Sequence, residues 1–307
     1  MSLKLTILGC HSATPRSFAH PTSQYLEINN SSFLIDCGEG TQRQLRKYKL
    51  NFSKIKSIFI SHLHGDHFFG LIGLISTMGA LSRQNELHVY GPKGIKEVIN
   101  LQFKLSKSGV CFPLHFHELV SKKSEVVYED SKVSVHTIPL KHRIYTNGFL
   151  FKEKPKERKL NMEVISQFQE IEICDYQNIK NGKNFMRSNG EIIRNDKLTF
   201  PPPPILIYAF CSDTAYFEDI IPIIKNADLL YHESTFLDDK LELAKKTKHS
   251  TALQAAKIAK KALVKKLILG HYSSRYKDID LFLQEAKIIF KNVELSETGK
   301  VFSIDNY

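Results

Sequence analysis

The run Ser61-His-Leu-His-Gly-Asp-His sets three imidazoles and one carboxylate within six positions. Imidazole nitrogens and carboxylate oxygens are the donors that zinc and similar borderline divalent ions take. On a loop, His62 and His64 can face one ion while Asp66 and His67 turn toward a second, with Gly65 expected to permit the tight backbone path between them. One loop cannot fill the coordination of two ions. Further donors stand just after apolar runs of strand length: His142 after Val133–Leu140, Asp213 after Ile205–Phe210 and His271 after Leu267–Leu269. Loops at the carboxyl ends of strands are where α/β proteins build their sites. A carboxylate at Asp213 could bridge two ions, one oxygen to each.

Such a set needs strands to hold it. Short, β-branched apolar runs recur at Leu3–Leu8, Tyr25–Ile28, Phe33–Ile35, Ile58–Ile60, Leu87–Tyr90 and Leu229–Tyr231, bounded by Gly, Asn, Asp or Ser. Helical patterns fall between them at Thr41–Tyr48, near Phe68, and at Ile95–Leu105, Thr251–Leu263 and Ile279–Phe290. Ser250 and Thr251 offer capping hydroxyls to the alanine-rich member. The alternation predicts a layered α/β fold. Lys152–Pro204 breaks it, opening on a charged run and closing on four prolines, with turn signals at Lys180-Asn-Gly-Lys and Ser188-Asn-Gly-Glu. This segment reads as an insertion, with Pro201–Pro204 as a stiff return. Its isoleucines 171, 173, 192 and 193 are expected to pack.

The balance of 43 Lys+Arg against 32 Asp+Glu gives 307 residues a net charge of +11, which favours polyanionic partners. Two stretches hold that surplus. Residues 41–57 carry six basic groups and no acid, and residues 240–266 carry nine lysines against Glu242. Arg43, Arg46, Lys47, Lys245, Lys246 and Lys248 are thus candidate phosphate-binding groups, since phosphate contacts release counterions. The five cysteines are dispersed, with no CxxC pair, so a reducing cytoplasm is expected rather than a disulfide framework. The uncharged stretch Phe68–Leu81 is shorter than a bilayer needs, so no membrane partner is expected. The first residues read as a strand, not as a signal peptide.

Taken together, the His-x-His-x-Asp-His loop followed in order by His142, Asp213 and His271 resembles the metallo-β-lactamase superfamily. Within it, the chain resembles the ribonuclease Z family of tRNA 3′-processing endonucleases. The narrower likeness rests on Asp36-Cys-Gly-Glu-Gly-Thr-Gln-Arg-Gln-Leu, Gly91-Pro-Lys-Gly, Cys211-Ser-Asp-Thr, His232-Glu-Ser-Thr-Phe, Lys248-His-Ser-Thr and His271-Tyr-Ser-Ser-Arg-Tyr. The resemblance implies a four-layer αββα sandwich over residues 1–307, with 152–204 as an inserted arm that grips tRNA, and a homodimer. It also implies two zinc ions, with manganese or iron as alternatives. His62, His64, His142 and Asp213 would hold one ion, and Asp66, His67, Asp213 and His271 the other.

By the same resemblance Glu233 and His249 act near the leaving group and Arg275 near the phosphate, while Asp66 orients the attacking water. The substrate expected is precursor tRNA, cut to leave a 3′-hydroxyl on the tRNA and a 5′-phosphate on the trailer. The resemblance thereby makes the six candidate phosphate-binding groups RNA-binding ones. The alternative is a small-substrate phosphodiesterase or another hydrolase of the same fold. Two departures stand out. The arm lacks a glycine-proline tip, and the loop Ser12-Ala-Thr-Pro-Arg-Ser-Phe-Ala-His differs from the Pro-x-Lys-x-Arg-Asn motif tied to handling of the CCA end.

Overall fold

The computed structural model describes residues 2–14 and 19–305; part of the N-terminal loop that departs from the family motif, residues 15–18, lies outside them. Strands β1 (Ser2–Gly9), β2 (Ser23–Ile28), β3 (Ser31–Cys37), β4 (Ile55–Phe59), β5 (Leu87–Pro92) and β6 (Leu114–Leu119) build the first sheet. β7 (Val126–Glu129), β8 (Val133–Pro139) and β9 (Asn147–Glu153) begin the second. Four two-residue strands follow: β10 (Lys159–Leu160), β11 (Phe185–Met186), β12 (Ile192–Ile193) and β13 (Thr199–Phe200). β14 (Ile207–Cys211), β15 (Leu229–Glu233), β16 (Lys266–Gly270) and β17 (Val293–Leu295) complete the second sheet, and β18 (Val301–Asp305) returns to the first. The strand orders are β18-β1-β2-β3-β4-β5-β6 and β17-β16-β15-β14-β9-β8-β7.

Apolar residues on both faces of these strands dictate the layers, because each face must be covered. In β3, Phe33 and Ile35 enter the core shared with the second sheet, while Leu34 enters a separate core. That separate core is closed by α3 (Leu71–Ala80) and α4 (Ile95–Leu105), through Leu71, Leu74, Ile75, Ile95 and Ile99. α1 (Thr41–Lys47) and α2 (Gly65–Phe68) precede them in the chain. The shared core is aromatic: Phe59 stacks on Tyr90 at 4.8 Å and meets Phe149 and Phe151 from the second sheet. The second sheet's outer face is covered through Ala252, Ala255, Ala256 and Ala259, and through Phe282 and Ala286. The fold is the expected four-layer sandwich.

The chain divides into two compact units, one running to Glu153 and resuming at Leu206–Asp305, the other Lys154–Ile205. The second begins two residues later than the charge pattern suggested. Lys152 and Glu153 are drawn into β9, where they pair with Ile207 and Val133. This unit has its own small core of Ile165, Ile171, Ile179, Ile193 and Leu198. It carries α5 (Met162–Ile165), α6 (Tyr176–Lys180) and α7 (Asn195–Leu198), and the Ser188-Asn-Gly-Glu turn joins the β11–β12 hairpin. Ile173 and Ile192 do not pack as expected. They are 81% and 60% exposed, because a hairpin and a single helical turn bury only one side each.

Back in the larger unit, α8 (Ile221–Ile224) and α9 (Leu241–Thr247) precede α10 (Ala252–Lys261) and α11 (Asp280–Lys287). Thr251 caps α10 in a capping box with Gln254. Ser250 does not share that role, as its hydroxyl donates to Thr214 O at 2.7 Å. The helix expected over Ile279–Phe290 is shorter at both ends, spanning Asp280–Lys287.

Candidate metal centre

Seven side chains converge from loops at the carboxyl ends of β4, β8, β14 and β16, drawing on both sheets. In one group His62 Nε2 lies 3.0 Å from His64 Nδ1, His142 Nε2 lies 3.3 Å from His64 Nδ1, and Asp213 Oδ2 lies 3.6 Å from His62 and 3.8 Å from His142. In the other, His67 Nε2 is 3.4 Å from both Asp66 Oδ2 and Asp213 Oδ1, and His271 Nε2 is 3.3 Å and 3.2 Å from the same oxygens. Ligands at about 2.0–2.1 Å from a tetrahedral ion sit roughly 3.3 Å from one another. Asp213 therefore gives Oδ2 to one group and Oδ1 to the other, as a bridging carboxylate would.

Two buried atoms in this cluster, His67 Nε2 and Asp213 Oδ1, have no hydrogen-bond partner among the described residues. Such atoms are costly unless something satisfies them. Charge points the same way. Burial would lower the His67 ring, but Asp66, Asp213 and Asp36 raise it well above the ordinary imidazole value, so this point attracts a cation. Burial lowers His62 well below its ordinary value and His142 to about 4, keeping both neutral as ligands must be. The donor set fits two borderline divalent ions.

Four of the five rings, those of His62, His67, His142 and His271, are held at the nitrogen turned away from the cluster, and two buried carboxylates organise most of this. Asp36 accepts from His67 Nδ1 at 2.7 Å, from Ser61 N at 2.7 Å and from Ser61 Oγ at 2.9 Å. Ser61 Oγ in turn lies 3.0 Å from His62 Nδ1. Glu233 accepts from His249 Nδ1 at 2.8 Å and from Thr235 Oγ1 at 2.6 Å, and Thr235 Oγ1 lies 2.9 Å from His271 Nδ1. His142 Nδ1 donates to the Lys248 carbonyl at 2.8 Å. Outer partners of this kind fix tautomer and ring direction. The organising role of Asp36 was not drawn from the sequence. Its one local sign is the following glycine: a Cβ on Gly38 would lie 2.6 Å from Asp66 O, so only glycine admits the ligand loop there.

The reason given for Gly65 changes. It has no positive φ; a Cβ there would meet the Phe69 ring at 2.2 Å, so the limit is packing. Positive φ falls instead on Asp36 and on the ligand His271, at 55° and 62°. The His271 amide donates to Cys10 O at 2.7 Å, which holds that turn.

The catalytic candidates divide. His249 sits beside the cluster, with Nδ1 4.0 Å from Asp213 Oδ2. Burial lowers its ring, but Glu233 raises it further, to about 9, and His249 holds the Glu233 carboxyl below the usual range against the opposing effect of burial. Arg275 is exposed on the loop after His271, and among the described residues no hydrogen bond or ion pair joins its guanidinium to the cluster.

The basic candidates divide as well. Arg43 and Lys47 line a cavity of 980 Å³ with His20, Gln44, Tyr48 and Asp66, beside the ligands. Arg46 faces away, over the Phe52 ring at 5.8 Å. Lys245 and Lys246 are exposed on α9, with Lys245 paired to Glu242 at 2.7 Å. Lys248 differs from both: it closes α9 in the left-handed region at φ 58°, and its carbonyl holds His142.

Two facing sheets with this cluster at their strand ends define a metallohydrolase of the metallo-β-lactamase fold. A family model described as anti-Pycsar protein Apyc1 matches residues 3–184, a span that holds the first five ligands and ends before Asp213, Glu233, His249 and His271. Relatives named ribonuclease Z match almost end to end. That of Cytophaga hutchinsonii is 48% identical over 100% of this chain and 97% of its own. That of Bacteroides thetaiotaomicron is 44% identical over 99% and 96%. The crystal structure of the short form of human tRNase Z superposes with a TM-score of 0.72 at 28% identity, covering 98% of this chain and 99% of that one. The chain belongs to the ribonuclease Z family.

Proposed function

We propose that the chain is a metal-dependent endoribonuclease that removes the 3′ trailer from precursor tRNA. The observation that carries this reading is the Asp213 bridge between two ligand groups with His249, backed by Glu233, directly beside it. Two bound divalent ions would polarise the phosphoryl oxygens and lower the pKa of a water for in-line attack. Asp66 orients that water and accepts its proton. His249, with Nδ1 committed to Glu233, presents Nε2 to the leaving 3′-oxygen and protonates it as the P–O3′ bond breaks. The products are a 3′-hydroxyl on the tRNA and a 5′-phosphate on the trailer. Arg275 is assigned to phosphoryl oxygens of the bound strand, which a guanidinium grips in bidentate fashion.

The imidazole-rich donor set supports zinc as the ion, with manganese or iron as substitutes. Family membership supports a homodimer and tRNA contacts by residues 154–205. The absence of disulfides among the five cysteines fits a cytoplasmic setting. Incubation with a CCA-less precursor tRNA, with and without chelator, tests the reading. The expected result is a metal-dependent cut near the discriminator base. A 3′-phosphate or cyclic phosphate on the tRNA would overturn the mechanism. Greater catalytic efficiency on bis(p-nitrophenyl) phosphate than on precursor tRNA would favour the small-substrate alternative.

A further inference from the structure

A second group of metal donors lies at the amino ends of β5 and β6, away from the strand ends that carry the seven ligands. Residues two apart on an extended chain share a face. Glu86-Leu-His88 and His115-Phe-His117 therefore each present two polar side chains to one side, and the parallel register sets His88 against His115. Glu86 Oε2 lies 3.4 Å from His88 Nε2 and 3.5 Å from His115 Nε2. Those spacings match the roughly 3.3 Å edge of a tetrahedral site. The rings of His88 and His115 stack at 4.9 Å, which holds them side by side.

One of the two proton arrangements open to the His88–His117 contact suits an ion. His88 Nδ1 lies 3.0 Å from His117 Nε2. With Nδ1 donating to that acceptor, the lone pair of His88 stands on Nε2, facing Glu86 and His115. His117 is itself fixed by stacking on Tyr90 at 4.3 Å, and Tyr90 stacks on Phe59 in the core. A line of rings thus runs from the interior to the open edge of the first sheet and ends on three convergent donors.

We propose that Glu86, His88 and His115 bind one divalent transition ion of the zinc class, with His117 as a positioning residue. The ion joins the edge strand β6 to β5 and leaves a coordination position open to water. Two imidazoles and a carboxylate suit zinc, cobalt or nickel, and not magnesium or calcium, which take oxygen donors.

The test is metal counting on the full chain. Protein loaded at the main centre is dialysed against micromolar free Zn2+, and bound zinc per chain is measured by atomic emission. The wild type is expected to hold one ion more than His88→Asn, His115→Asn or Glu86→Gln. His117→Phe keeps the stack and removes the acceptor; it is expected to weaken the extra ion about 10–100-fold while leaving the saturated count unchanged. Hydrolysis of bis(p-nitrophenyl) phosphate is expected to be the same in all five proteins. Equal zinc counts in the wild type and the three ligand variants would overturn the proposal. The result is a difference between proteins, so it is independent of how many ions the main centre holds.

Discussion

Substituting Asp36→Asn changes one oxygen to nitrogen, and the structure says where the effect must fall. Asp36 is fully buried and accepts three hydrogen bonds, from His67 Nδ1, Ser61 N and Ser61 Oγ. The asparagine oxygen can keep the Ser61 amide. Its NH2 group then faces His67 Nδ1–H, and two donors cannot pair. His67 is relieved by moving its proton to Nε2, the atom that faces Asp66 and Asp213 and would bind the ion. Ser61 Oγ, now met by a donor, no longer holds His62 as before. Loss of an outer partner costs about 10–100-fold in metal affinity, or roughly 1.4–2.7 kcal/mol. The assay is hydrolysis of bis(p-nitrophenyl) phosphate against free Zn2+ set by a chelator buffer. The activation midpoint is expected to rise by one to two decades, with the plateau at saturating metal within a few-fold of wild type. An unchanged midpoint would refute the argument. So would a plateau lost by orders of magnitude, because Asp36 would then take part in the chemistry and not in positioning.

Other perturbations separate further parts of the structure. Below about pH 9 the Glu233-supported His249 carries its proton, so cleavage of precursor tRNA falls as pH rises through that value. Glu233→Gln removes the larger raising influence and leaves burial opposed by Asp213 alone, so the alkaline limb of the pH–rate profile should move to lower pH. Phe59→Ala empties the aromatic contact between the sheets and should cost about 3–5 kcal/mol in denaturant unfolding. Arg43→Gln with Lys47→Gln, and separately Lys245→Gln with Lys246→Gln, should weaken tRNA binding. Each lost phosphate contact should flatten the slope of log affinity against log salt by roughly 0.7–0.9. Hydrolysis of the small phosphodiester should be untouched; equal loss of both activities would mark the charge as structural.

The convergent donors are legible in the sequence because they follow strands whose apolar runs are plain. Asp36 could not, since its partner His67 is 31 positions away and the bond exists only once β3 and β4 are paired. Strands β6, β7, β9, β17 and β18 lie outside the apolar runs that predict strands, and for β6 and β9 the reasons are local. In β6, Leu-His-Phe-His alternates, but Glu118 stands where a third apolar residue would sustain the pattern. β9 opens on Asn147-Gly148, which reads as a turn; here a Cβ on Gly148 would lie 2.2 Å from Phe210 O, so the glycine serves strand packing. Lys248 reads as surface charge in the sequence, where a side chain's sign is visible and a carbonyl's direction is not.

The ligand loops come from opposite halves of the sandwich, β4 in the first sheet and β8, β14 and β16 in the second. Ions held between them would act as clasps as well as catalysts. Ligand that binds only the folded state adds about 2.7 kcal/mol of stability at a hundred times its Kd. With the proposed ions bound, resistance to unfolding and capacity for hydrolysis would draw on the same metal supply, and a fall in that supply would loosen the two sheets before any substrate is met.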